Sequence, residues 1–140
     1  MPPVNWSVRV YSRAQAAELA AINPGTLDVR IHRMRDCDVL FSERRNSRRV
    51  FSARDITVLA VAYEIERAGR SWLDALGIAF DHLQEPPEAD ALLILTPTPV
   101  RDSGGPRVAK EVPEPVERST LVVPIGSIAT DILNRIGHPE

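Results

Sequence analysis

Apolar residues up to Gln84 recur mostly at helical spacing, whereas beyond it they gather into short unbroken runs. Ser12 to Gln15 fits a capping box, in which the hydroxyl and the amide satisfy free helix N–H groups, and Ala16, Leu19 and Ala20 follow as a small apolar face. Ala21-Ile22-Asn23 is a short break; Asn23 suits a helix cap and Pro24 the first helical position. The spacing then predicts a second helix from Pro24 to about Arg35, with Leu27, Ile31 and Met34 on one buried stripe. Thr26, Val29, Arg30 and Arg33 lie off that stripe. Val39-Leu40-Phe41 and Val50-Phe51 are β-prone, and Ser42 to Arg49 between them reads as a polar hairpin, or wing, with Asn46-Ser47 as its turn-prone centre. Ser52-Ala53-Arg54-Asp55 is a second capping box opening a helix with Ile56, Leu59, Ala60, Tyr63 and Arg67 in phase, and Gly69 is a stop signal. Ser71-Trp72-Leu73-Asp74 opens a fourth helix with Leu73, Leu76, Ala79, Phe80 and Leu83 available to pack.

After Glu85-Pro86-Pro87-Glu88 the pattern changes. Ala91 to Leu95 and Thr120 to Ile125 are apolar runs of strand length, and the Pro-, Gly- and charge-rich stretch 97–118 between them reads as a loop or linker. Ser127 can cap a last helix on which Ile128, Ile132 and Ile136 align. Residues 5–11 alternate loosely and read as a short strand or an extended arm. The division expected is an arm over 1–10, a helical domain with a hairpin over 11–84, and a linker with a strand-strand-helix element over 85–140.

Charge changes this picture more than composition does. The net charge is −2 over 140 residues. Residues 1–71, however, hold 12 arginines against 8 acids, while 72–140 hold 5 basic groups against 11 acids. Such asymmetry marks a segment facing a polyanion beside a segment with another task. Arg44, Arg45, Arg48 and Arg49 crowd around the turn. A preference for arginine over lysine explains residue type but not that clustering. The single cysteine, Cys37, allows no internal disulfide, the amino terminus does not resemble a secretory signal, and Ser119 to Thr130 is too short to span a bilayer. A cytoplasmic protein with no membrane contact is expected.

From Tyr11 to Leu83 the chain resembles the DNA-binding domain of the MerR family of transcription regulators. The resemblance is carried by Tyr11-Ser12 with Ala16-Ala17-Glu18-Leu19-Ala20, by Ile22-Asn23-Pro24-Gly25-Thr26-Leu27, by Asn46-Ser47-Arg48-Arg49-Val50-Phe51-Ser52, and by Asp55, Leu59, Ile65, Gly69 and Ser71. It covers roughly half the chain. It implies a mainly α (α+β) fold: a winged helix-turn-helix of four helices with a small hairpin wing, followed here by the strand-strand-helix element. It also implies a bacterial homodimer that binds double-stranded DNA and regulates transcription; the lack of catalytic motifs adds the expectation of no enzymatic activity and no cofactor. The family has arginine and then an aromatic pair after Thr-Leu, where this chain has Asp28, Val29 and Arg30. An acid at that place repels phosphate or seeks a cytosine amino group. The family also continues into a long dimerising coiled coil, where this chain has Pro86-Pro87.

The expected DNA-binding residues are Thr26, Arg30 and Arg33 on the second helix and Arg44, Arg45, Arg48 and Arg49 on the wing. Asp28 and Asp36 stand near enough in sequence to compete for the helix arginines. The expected dimerisation residues are Leu93, Leu95, Leu121, Val123, Ile128, Ile132 and Ile136, because a two-stranded unit alone is marginal and needs company; docking of the same runs onto their own helical domain is the alternative. His32 reads as exposed, His82 and His138 have no companions at metal-ligand spacing, and Cys37 between Asp36 and Asp38 is not an activated thiol. No nucleophile–base constellation and no phosphate-binding glycine loop is present in the sequence. Two other functions share these features: a phage excisionase or small-terminase type of DNA-binding protein, and, in another class, a protein-binding adaptor that docks partners on the helical domain or through the C-terminal region.

Overall fold

The computed structural model describes residues 6–33, 42–97, 105–114 and 118–137. The expected end of the second helix at Arg35, with Met34, and the β-prone run at Val39-Leu40-Phe41, Cys37 and His138 lie outside the described residues. The order of elements is β1 (Tyr11–Ser12), α1 (Arg13–Ala20), α2 (Pro24–Arg33), β2 (Glu43–Arg45), β3 (Arg48–Phe51), α3 (Ala53–Arg67), α4 (Trp72–His82), β4 (Leu92–Leu95), β5 (Arg107–Ala109), β6 (Leu121–Val123) and α5 (Ile125–Gly137). The architecture is mixed α+β: five helices and two small antiparallel sheets, ordered β1-β3-β2 and β5-β4-β6. No helix among the described residues is long and apolar enough to cross a membrane.

The helix starts follow local chemistry. Both capping boxes form: the Ser12 hydroxyl accepts from the Gln15 amide and the Ser52 hydroxyl from the Asp55 amide, with reciprocal bonds from the Gln15 and Asp55 side chains. Asn23 Oδ1 accepts from the amides of Gly25 and Thr26 at 2.8 and 3.3 Å and so caps α2. Ser71 caps α4 through the Asp74 amide. α1 ends with Ala21 in the left-handed region, φ 58°, so the chain turns sharply enough for α2 to pack beside it.

α3 is the axis of the molecule. Its residues 55–62 are all buried, well beyond the single stripe Ile56-Leu59-Ala60-Tyr63. A helix apolar on every side must be covered on every side. α1 and α4 cover part of it, and α5 and β6 cover the rest. The C-terminal segment therefore docks onto its own helical domain, and one apolar cluster runs from Trp6 through Ile56, Leu59 and Ile65 to Leu93, Val123 and Ile132. Leu73, placed by spacing among the packing residues of α4, faces solvent; Trp72, Ala75 and Ile78 are buried instead.

This packing places the residues expected at a dimer contact in or against the chain's own core. β4 pairs with β6 within the chain, Leu93 with Val123 and Leu95 with Leu121. Leu93, Leu95, Val123 and Ile132 lie in the interior of the same molecule and have no apolar surface left for a second copy. Leu121, Ile128 and Ile136 are half-buried against that core. The company that the two strands needed is α3. A third strand also enters from the expected linker: β5 pairs with β4, Leu93 opposite Val108. α5 begins two residues before Ser127. The Gly126 amide donates to Ala91 O at 3.0 Å and the Ile128 amide to Pro124 O at 3.0 Å, so a carbonyl distant in sequence satisfies one N-terminal donor of the helix, and Ser127 lies inside the helix and not at its cap.

Candidate nucleic-acid interface

The hairpin is built by its turn. Arg45 stands opposite Arg48, leaving Asn46 and Ser47 as a two-residue loop, with φ of 51° and 67°. Two successive positive φ values give a type I′ turn, whose twist matches that of the flanking strands. The strands therefore run right up to the turn, within the stretch 42–49 expected as a polar hairpin. Register then places Arg44 opposite Arg49 and Arg45 opposite Arg48. Directly opposed side chains share a face of the ribbon, and like charges so placed destabilise it, by a few tenths to about 1 kcal/mol per pair. The hairpin carries this arrangement twice, and Glu43 relieves it in part at Arg45. β1 holds β3 from the other side, Tyr11 opposite Phe51 and Ser12 opposite Val50. That pairing sets the start of α1 beside the wing.

Between the wing, the first turn of α1 and one face of α2 lies an open groove of about 920 Å³. Arg13, Arg44, Arg48 and Arg49 line it together with Asp28 and His32. Among the described lining residues, four guanidinium groups face a single carboxylate. Asp28 pairs with Arg13 at 3.1 Å, both side chains about half exposed. Arg49 donates to Ser42 Oγ at 2.9 Å, which steadies the base of the wing. Arg44 and Arg48 are exposed and have no ion-pair partner among the described residues.

The remaining expected residues divide. Arg45 turns away from the groove, donating to Glu43 at 3.3 Å and to Arg9 O at 3.5 Å. Arg33 is exposed at the end of α2, and Thr26 is half-buried at its start; neither lines the groove. Arg30 is withdrawn. Its guanidinium pairs with Glu66 of α3 and lies 4.9 Å from the ring centre of Trp72. The acid that competes for it is thus Glu66 and not Asp28, and Arg30 clamps α2 to α3 and α4 instead of reaching outward. The groove-facing side of α2 is carried by Asp28 and His32, one helical turn apart.

Arg13 was missed by sequence reasoning. A signal for it existed: a cation at the first position of a helix opposes the helix dipole, so some other group must favour it there. Arg9 was also missed. It binds the buried Asp55 at 2.8 Å through Nε, tying the N-terminal arm to the capping box of α3. No short-range pattern announces a contact between residues so far apart.

No protein-family model, no curated protein and no solved structure matches this chain.

Proposed function

We propose that the chain is a winged helix-turn-helix protein of MerR-like type that binds duplex DNA as a homodimer and regulates transcription. The observation that carries this reading is the like-charged cross-strand register at the wing, Arg44 opposite Arg49 and Arg45 opposite Arg48. A free hairpin is weakened by such pairs, and an array of phosphates is a partner that turns the repulsion into attraction. In this reading α2 enters the major groove, the wing grips the backbone, and the groove between them receives a phosphate ridge. Arg13, Arg44, Arg48 and Arg49 supply the positive field there, and Arg33 extends it at the end of α2. The two copies meet on surface outside the shared core, where Ile128 and Ile136 still reach partly to solvent.

Replacement of Arg44, Arg45, Arg48 and Arg49 together by alanine tests the proposal. The variant keeps its helical circular dichroism and loses duplex binding by at least ~100-fold near physiological salt. With ~4 phosphates neutralised per subunit, log affinity of the parent protein falls with log salt at a slope of about −7 for a dimer. A folded variant that binds duplex as tightly as the parent, or a flat salt response, overturns the proposal. Selection of bound fragments from random duplex tests the two-fold assembly, which predicts a palindromic motif.

A further inference from the structure

Among the described residues that line the groove, Asp28 is the one carboxylate beside four guanidinium groups, and it stands on the helix face that looks into that groove. It is half exposed and held to Arg13 of α1 at 3.1 Å. Its burial is too slight for it to serve the core, and the adjoining α1–α2 contact is already made by buried Ala16, Ala17, Leu27 and Ile31. A carboxylate there subtracts from the attraction for any phosphate, so it weakens binding to DNA in general. An ionised carboxylate can only accept hydrogen bonds. Along the major groove only cytosine N4 and adenine N6 offer amino donors, whereas guanine O6 and N7 and thymine O4 are acceptors.

We propose that Asp28 is the specificity residue of the groove. It accepts from an exocyclic amino group of cytosine or adenine, and it repels sites that present acceptors or a phosphate at that point. This rests on the DNA-binding reading given above. In the free protein Asp28 occupies Arg13. At a correct site the carboxylate turns to the base amino group and Arg13 passes to a phosphate. At an incorrect site the ion pair persists and one phosphate contact is lost. The pair thus couples base identity to backbone affinity through two exposed side chains on neighbouring helices.

The test compares the parent chain with Asp28→Asn and Asp28→Glu, using fluorescence anisotropy on a mixed-sequence duplex across a salt series and selection from a random duplex library. Asp28→Asn removes the charge and adds a donor. It is expected to bind mixed duplex about 5-fold tighter, with a salt slope steeper by about 0.9 per subunit as Arg13 is released. Its amide also donates, so a preference of about 10-fold for cytosine at one position of each half-site is lost and adenine, which meets the amide at both N6 and N7, is favoured there. Asp28→Glu retains the parent preference. If the parent binds duplex while Asp28→Asn shows the same affinity, slope and selected motif, this inference alone is overturned. If the parent binds no duplex at any salt, the DNA-binding reading falls with it. Circular dichroism and thermal melting show whether the variants are folded.

Discussion

The guanidinium carbon of Arg30 lies 4.9 Å from the ring centre of Trp72, with Glu66 paired to the same side chain. Three helices meet at this point: α2 supplies the cation, α3 the acid and α4 the aromatic face. Both charged side chains are about one-fifth exposed, so the pair is shielded enough to matter yet not sealed from water. Arg30→Ala is expected to lower stability by about 1–2 kcal/mol, through the lost ion pair and cation–π contact and a half-buried acid left alone. Arg30→Lys recovers little, because an ammonium lacks the planar fork that stacks on the indole. Urea denaturation measures both. Duplex affinity extrapolated to the fully folded protein stays near the parent value, unlike that of the wing variants.

Ser47 is held at φ 67°, a region that glycine enters without steric penalty. Ser47→Gly completes the Asn-Gly pair that a type I′ turn favours. It is expected to stabilise the chain by about 0.5 kcal/mol and leave the wing arginines in place. Ser47→Val has the opposite effect, since a β-branched residue resists positive φ. Thermal melting of the two variants gives the sign directly.

Gly126 sits in the first turn of α5 against the backbone of residues 88 and 89. A methyl group there would meet the carbonyl oxygens of Glu88 and Ala89 far inside van der Waals contact. Backbone atoms cannot swing aside as a side chain can, so Gly126→Ala is expected to lose about 2–3 kcal/mol. The Gly126–Ala91 hydrogen bond is lost at the same time. Hydrogen exchange is expected to report opening of α5 and β4 before the helices α1 to α3.

Arg70 ties the helical part to the C-terminal sheet. Its Nε donates to Thr96 O at 3.0 Å and one Nη to Asp74 at 2.7 Å, and the residue is buried. Arg70→Met keeps much of the volume but removes the donors. It is expected to cost about 2 kcal/mol, chiefly through the lost charge-assisted hydrogen bonds from the buried guanidinium to Thr96 and Asp74. Chemical denaturation reads the loss, and retained duplex binding at low temperature separates it from an effect on the groove.

Lys110 Nζ lies 2.6 Å from Glu88. The hydrogen bond and charge of Lys110 hold the Glu88 carboxyl below its usual range, and Glu88 and Asp90 hold Lys110 above its own. A lowered carboxyl pKa contributes stability above the unfolded value that is lost as pH falls through the folded one. A raised lysine pKa contributes stability below the unfolded value that is lost as pH rises through the folded one. Both groups are fully solvated, so salt screens the effect and it is small. Lys110→Ala is expected to melt slightly below the parent at neutral pH and together with it in strong acid. A gap that persists in acid would assign the difference to something other than this pair.

Residues a few positions apart determined what the sequence conveyed well. Ser12 with Gln15, Ser52 with Asp55, Asn23 with Pro24, and the turn at Asn46-Ser47 are local contests between side chain and backbone, settled within a single turn of chain. The two apolar runs after Gln84 read as strands because their composition leaves little else to form. The α2 stripe at Leu27 and Ile31 was legible from its period alone, and the arginines around the turn marked the wing before its register was visible.

Tertiary structure decided which of those arginines face the groove and which are held. The acid that claims Arg30 stands 36 residues away and the partner of Arg9 stands 46 away; cation and carboxylate find each other only once α3, which carries both acids, packs beside α2 and the N-terminal arm. The same distance hid the role of the C-terminal segment. α5 and β6 pack on α3, and four of the seven residues expected to join two molecules, Leu93, Leu95, Val123 and Ile132, lie inside one. Local propensity arises from a few bonds and is written in order along the chain, whereas burial and ion pairing arise from whichever surfaces packing brings together.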